Sequence, residues 1–342
     1  MAYHPTRGQS AIENGISLVP VIDLGSDVYM NAQPLWHPPW GRGIFGGAVI
    51  AQSISASQKT VPPTFNIHSI HCYFVLAGES SIPITYHVDR VRDGQNFTMR
   101  AVQARQRDKC IFIATLSFTR DNGGRKMAEH VGAMPSGIPI PSDSVDIGQL
   151  AKAGQMGKDS PYECIRCPID NKDRPEERKL RHWIRARGRI TGNHDAHVAA
   201  LAYMSDNYFI GTVARVHNAS RFDNQRYIDL NISRARVSEH EKAEMRQYFV
   251  DLAREEAAEN RGLDYSKHVA MMVSLDHTIF FHDPHSVRAD EWMLAEMDSP
   301  WAGNERGLVM QRIWSRDGVL LATCFQEGIV RLSQDQLERN KL

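Results

Sequence analysis

V-S-L-D-H-T-I-F-F-H, residues 273–282, is a β-rich run with a polar centre: Ser274, Asp276 and His277 interrupt Val, Leu, Ile and Phe. N-I-H-S-I-H-C-Y-F-V, residues 66–75, has the same shape, with an off-centre histidine followed by aromatics. Val, Ile, Phe and Tyr suit a pleated, half-buried backbone, and alternation sends successive side chains to opposite faces. One chain that carries so unusual a strand twice calls for an account of the repetition.

The flanks repeat as well. From His71 to Ala114 is 43 residues, and from His277 to Ala322 is 45. Each interval holds a strand, a turn containing Asp-Gly, and a final strand, Ile113-Ala114-Thr115 in one and Leu321-Ala322-Thr323 in the other. Ahead of the first copy lies a small-residue helix, predicted over 44–60 and ended by Val61-Pro62-Pro63, since proline cannot continue the ladder. Strands follow at 66–76, 82–91, 96–107 and 109–119. Ahead of the second copy, 182–190 alternates like a half-exposed strand, and 192–209 reads as an Ala-rich helix with Val198, Leu201, Ala202 and Ser205 on one stripe. A charged helix is expected over 237–262, and strands resume at 269–282, 291–298, 306–316 and 318–331. The pattern predicts an α+β protein made by tandem duplication. Its parts are a polar tail over 1–16, one unit over 17–120, a linker over 121–177, a second unit over 178–333 with an inserted segment at about 210–268, and a tail over 334–342.

Composition narrows the function. The 342 residues are 42% hydrophobic and 23% charged, enough for a sizeable core in each unit. Lys+Arg and Asp+Glu stand at 40 each, so no basic excess points to nucleic acid or an anionic membrane. The N-terminus lacks a signal-like apolar region, and no apolar run nears the roughly 18 residues of a membrane span. Five cysteines, an odd number in a long chain, favour a reducing compartment. Cys164-Ile-Arg-Cys167 has no second pair to complete a zinc set. His194-Asp195-Ala196-His197 lacks a third ligand, so neither metal nor cofactor is expected. G-R-G-I-F-G-G (41–47) has neither P-loop nor dinucleotide spacing, and no G-x-S-x-G elbow occurs.

Polar residues in apolar settings remain. Asp206 ends the apolar face of the Ala-rich helix, where a carboxylate opposes the helix dipole. Gln326 shares a strand face with Ala322, Cys324, Gly328 and Val330, and a buried glutamine there must find partners. Ser274 and Asp276 share a face of their own strand. On local grounds each can be a satisfied structural polar group.

Taken together, I-F-G-G-A-V-I-A-Q (44–52), H-S-I-H-C-Y-F (68–74), R-D-G-Q-N-F (92–97), A-L-A-Y-M-S-D (200–206), S-L-D-H-T-I-F-F-H (274–282), D-E-W (290–292) and Q-E-G-I-V-R (326–331) resemble the type II acyl-CoA thioesterases from about residue 17 to 333. The resemblance implies a double hotdog, two units each with a long helix wrapped by an antiparallel sheet. It implies acyl-CoA as substrate, with Asp206, Ser274 and Gln326 as the catalytic set; Ser274 stands where the family often has Thr. Asp206 would be the general base, with Ser274 and Gln326 placing the water. Gly46 and Gly47, at the start of the first helix, are candidate oxyanion donors or, equally, glycines that permit close packing, and His71 is a candidate substrate contact. Aligned on His71 and His277, the first copy has His68 where the second has Ser274 and lacks the Gln, so one complete site per chain is expected. A hotdog hydratase using Asp276 and His277 or His71, and a non-catalytic acyl-CoA binder, are the alternatives. A homo-oligomer is expected. The ending Asn340-Lys341-Leu342 is close to a peroxisomal import signal, which puts the peroxisome, with its import receptor as a partner, ahead of the cytoplasm.

Overall fold

The computed structural model describes residues 10–37, 43–120, 128–141, 160–170, 172–222, 225–234, 238–259 and 262–332. The Asn340-Lys341-Leu342 ending, the rest of the 334–342 tail and residues 1–9 lie outside them.

Residues 18–120 supply β1 (Leu18–Pro20), β2 (Val28–Asn31), β3 (Phe65–Phe74), β4 (Thr85–Asp93), β5 (Phe97–Gln106) and β6 (Lys109–Arg120). Residues 162–332 supply β7 (Tyr162–Arg166), β8 (Leu180–Ala186), β9 (Ala219–Ser220), β10 (Asp264–Ser274), β11 (Asp276–Phe281), β12 (Met293–Gly303), β13 (Arg306–Ser315) and β14 (Leu320–Leu332). The sheet order is β1-β2-β4-β5-β6-β3-β11-β14-β13-β12-β8-β7. Read outward from the β3–β11 junction, each half visits its strands in the same relative order. β3 and β11 are antiparallel neighbours, with His277 opposite Cys72 and Thr278 opposite His71. Two hairpins turn on consecutive residues of positive φ, Arg107-Asp108 and Asn304-Glu305, whose twist matches that of the flanking strands.

Two helices lie inside the curve of this sheet, Gly46–Gln58 and His194–Ser205. Both are buried on nearly every side, so neither needs a polar face. Their alanines (Ala48, Ala51, Ala199, Ala200, Ala202, each fully buried) let the two pack closely. The buried glutamine among them is doubly bonded. Gln52 donates to the Gly15 carbonyl at 2.7 Å and accepts from the Tyr86 hydroxyl at 2.6 Å. Two long helices wrapped by antiparallel strands make the double hotdog.

Four features differ from the sequence reading. Residues 10–16 are not a solvated tail. Ala11–Ile16 is a short helix closed by a capping box between Ser10 and Glu13, with Ile12 fully buried. Glu13 is the reason: its Oε1 accepts the backbone N–H groups of Thr191 (3.0 Å) and Gly192 (2.7 Å), just ahead of the second long helix. The linker region contains β7, which pairs with β8 through Tyr162 and Cys164, both buried. The inserted segment is not all peripheral. Helix Gly211–Val216 is buried under the sheet, close enough that a Cβ on Gly307 would come within 2.5 Å of Val213. Helices Gln225–Arg234 and Glu239–Glu259 follow. Finally, the run 269–282 is two strands. Leu275 separates them, donating to the Glu327 carbonyl and accepting from the Phe74 N–H, each at 2.9 Å. The Asp276 carboxylate accepts the Glu327 N–H at 2.8 Å, restoring the ladder bond that the break removes.

Candidate active site

Asp206 is the C-cap of the second long helix. The two helices run antiparallel, so this end meets the start of the first. The approach is very close. A Cβ on Gly47 would sit 2.1 Å from the Tyr203 carbonyl oxygen, and one on Gly46 would sit 2.7 Å from Asp206 Oδ2 and 2.9 Å from the Phe74 ring. Only glycine fits either place. The Gly47 N–H hydrogen-bonds the Asp206 carboxylate. This favours Gly46 over Gly47 as the expected oxyanion donor. Gly46 lines the cavity beside Asp206.

Burial pushes the Asp206 carboxyl up to about 6, against the pull of hydrogen bonds from Gln326 and Gly47. Gln326, fully buried on β14, donates from Nε2 to Asp206 Oδ1 at 2.8 Å. The same Nε2 lies 3.1 Å from His277 Nδ1. His277 is also fully buried, and burial lowers it to about 3, so the ring is neutral and its 3.8 Å separation from Asp206 is not an ion pair. His277 Nε2 meets Ser205 Oγ at 3.1 Å, and Ser205 Oγ donates to the Ala202 carbonyl at 2.9 Å.

Ser274 ends β10, half-buried, and lines the same cavity as Asp206. That cavity encloses about 480 Å³ between the start of the first helix and the ends of β3, β6 and β10. Val49, Phe74, Ile111, Phe112 and Met272 make most of its wall apolar. Asp206, Gln326, Ser274 and Gly46 are thus brought to one corner. His71 is not. It is exposed on the outer face of β3, against Thr278 and the Phe280 ring. The two histidines of the echo are therefore not counterparts: His277 points inward, as do Ile70 and Cys72 on β3, whereas His71 points out. An alignment displaced by a single residue exchanges the faces of a strand.

The turn after Asp206 is held by residues that sequence reasoning did not single out. Asn207 accepts from the Tyr162 hydroxyl at 3.0 Å. Tyr208 has φ +54, unusual for a bulky residue. The guanidinium carbons of Arg166 and Arg215 lie 4.4 and 4.8 Å from its ring centre. Arg166 pairs with Glu259 at 2.8 Å and with Glu255 at 3.7 Å, and Arg215 pairs with Glu259 at 3.5 Å. Glu259 ends the helix Glu239–Glu259, so the inserted segment is tied to the residues beside Asp206. No local pattern marks this cluster, because its members come from four separate places in the chain. Only the charged, one-edged helix over 237–262 hinted that some of its charges face the body.

Among the described residues no three His, Cys, Asp or Glu side chains converge as metal ligands. Burial raises both thiols of the Cys164–Cys167 pair to about 11, which leaves it without a reactive thiolate.

Residues 33–119 match the family model described as acyl-CoA thioesterase N-terminal domain, and residues 143–330 that of the acyl-CoA thioesterase C-terminal domain. The chain is 34% identical to acyl-coenzyme A thioesterase 8 of Mus musculus over 338 residues, covering 93% of this chain and 89% of that protein. It is 24% identical to peroxisomal acyl-coenzyme A thioester hydrolase 1 of Saccharomyces cerevisiae, covering 95% and 96%. The crystal structure of an acyl-CoA thioesterase II, TesB2, from Mycobacterium marinum superposes with a TM-score of 0.63 at 26% identity, covering 95% of this chain and 98% of that one.

Proposed function

The chain belongs to the type II acyl-CoA thioesterase family, and from that premise we propose that Asp206 is the general base of its hydrolysis of acyl-CoA to free fatty acid and CoA. The observation that carries this reading is a carboxylate at the wall of an apolar cavity, oriented by an amide donor at 2.8 Å. With its pKa near 6 the group is ionised at neutral pH, yet basic enough to take a proton from water. The water attacks the thioester carbonyl carbon, Asp206 accepts its proton, and collapse of the tetrahedral intermediate expels the thiol of CoA with that proton. Ser274, which lines the same cavity, holds the water by donating or accepting. Gln326 is buried against Asp206 and so acts on the carboxylate rather than on the water. The Gly46 N–H, in the first turn of its helix, is the proposed donor to the developing oxyanion. Thiol release from palmitoyl-CoA tests the assignment: Asp206→Asn should lose activity, and a variant with near-normal turnover would overturn it.

The hydratase alternative needs a histidine open to the substrate. His277 is fully buried and His71 lies on the outer face, so neither supports that reading. The thioesterase reading favours the peroxisome, in keeping with the name of the yeast relative and with Asn340-Lys341-Leu342. Removing those three residues should shift a tagged protein to the cytosol; an unchanged distribution would leave the ending without a role. Among the described residues no helix is long and apolar enough to cross a membrane.

A further inference from the structure

We propose that His277 is a positioning residue for the hydrolytic site: its Nδ1 accepts one Gln326 amide hydrogen, and this decides which end of that amide faces Asp206. The inference rests on the reading of Asp206 as the base.

A buried glutamine amide can be placed two ways round, with its NH₂ or its oxygen toward a given neighbour. Two acceptors at one end settle the choice. Gln326 Nε2 is 2.8 Å from Asp206 Oδ1 and 3.1 Å from His277 Nδ1, so its two hydrogens serve the two groups. This works only if Nδ1 carries no proton. Ser205 enforces that condition. Its hydroxyl hydrogen is spent on the Ala202 carbonyl at 2.9 Å, so its oxygen can only accept, and it accepts from His277 Nε2 at 3.1 Å. The order is therefore fixed from a helix carbonyl outward: Ala202 O, Ser205 O–H, His277 Nε2–H, His277 Nδ1, Gln326 N–H, Asp206. Reversing the amide would set its oxygen against the carboxylate. That arrangement favours the protonated acid and removes the base. His277, Ser205 and Gln326 are each fully buried, so water does not offer a ready substitute for any link. Neither Ser205 nor His277 lines the cavity, which is why both act through Gln326.

Two substitutions separate this role from packing. The Oδ1 of an asparagine falls close to the Nδ1 of a histidine, so His277→Asn keeps the acceptor, whereas His277→Leu removes it and fills much of the space. We expect His277→Leu to lower kcat about tenfold with KM within about twofold, since an amide free to reverse deprives the carboxylate of its donor. Its kcat/KM should also begin to fall at a higher pH than in the native enzyme. His277→Asn should recover most of kcat and the native acid limb. Equal losses in the two variants, or a leucine variant with native kcat and acid limb, would overturn the proposal. The tautomer is read in the native protein without any variant: imidazole ¹⁵N shifts should show His277 protonated at Nε2 and neutral from about pH 5 to 8. An Nδ1–H tautomer would overturn the proposal even if His277→Leu failed to fold. Asp206→Asn in the same assay separates the two readings. Activity retained there defeats the base assignment, while the tautomer measurement still judges the His277–Gln326 link on its own.

Discussion

The fold builds the same corner twice, and only one of the two is the proposed site. Gln58 stands as many residues past the start of the first long helix as Asp206 stands past the start of the second. Each touches the second residue of the opposite helix. Asp206 accepts the Gly47 N–H, and Gln58 Nε2 lies 3.3 Å from Asp195 Oδ1. The carboxylate has changed sides. At the proposed catalytic corner it sits under an apolar cavity, and burial lifts its pKa to about 6. At the mirror corner it belongs to Asp195, which is exposed to water. The space beside it is filled rather than open: His194 bonds the Pro284 carbonyl and stacks on His285, which reaches Asn66. The supports differ too. Arg100, fully buried, holds the turn after Gln58 through Thr60, and its acidic partner Asp93 is more than half exposed. The turn after Asp206 is clamped by two buried arginines whose acids are buried with them. A repeated backbone thus supplies two equivalent places. What separates the proposed site from its mirror is desolvation of one carboxylate and the means of holding it still.

The largest effect expected from breaking this contrast is catalytic. Asp206→Asn should lower kcat by about 10²–10⁴-fold with KM little changed, while Gln58→Asn leaves both near native values. A matching loss at Gln58, measured by thiol release, would mean that the mirror corner also works.

Next comes the clamp. Glu259→Gln removes one charge from a buried set and leaves two guanidinium groups beside Tyr208 with Glu255 alone. The cost should be about 3–5 kcal/mol in denaturant unfolding. Asp93→Asn, at the pair of the mirror corner whose acid is more than half exposed, should cost under about 1 kcal/mol. Similar costs at the two positions would show that burial does not distinguish them.

A third effect follows from the raised carboxyl. The folded-state pKa of Asp206 is about 6 against a reference of 3.8, so the folded protein binds the proton more tightly than the unfolded chain. Its contribution to stability therefore falls as pH rises through that window and is flat above it. Asp206→Asn removes this slope. The variant should gain on the native protein between those two pH values, by up to about 3 kcal/mol above the upper one. Unfolding midpoints at the two ends of the window check the sign, and a gain that grew as pH fell would contradict it.

The smallest contrast is steric. Gly47→Ala sets a methyl carbon against the Tyr203 carbonyl, a backbone atom that cannot rotate away, and should cost about 1–3 kcal/mol with some loss of activity as the helices part. Asp195→Ala, at the matching position, should change stability by no more than about 0.5 kcal/mol. Thermal melts of the two variants side by side decide it.

Much of this was legible in the chain. The paired β-rich runs, the hairpin turns at Arg107-Asp108 and near Asp317-Gly318, and the two small-residue helices follow from local periodicity and turn chemistry, which act over a few residues and so are written in order. The motifs around Asp206, Ser274 and Gln326 pointed to the corner those residues share. The face of each histidine was not legible at the needed precision, because a displacement of one residue in the alignment reverses it, and only the pairing of β3 with β11 decides the register. Nor could the short run ending at Ile16 be told from a tail before Glu13 found the N–H groups of Thr191 and Gly192. The cluster of Arg166, Tyr208, Arg215 and Glu259, the commitment of Gly47 to Asp206, and the lifted pKa of that aspartate belong to the tertiary structure alone. Each depends on which distant groups are packed together and on how much water they exclude. Residue order along the chain does not state that exclusion; it exists only once the two helices and the sheet have closed around the carboxylate.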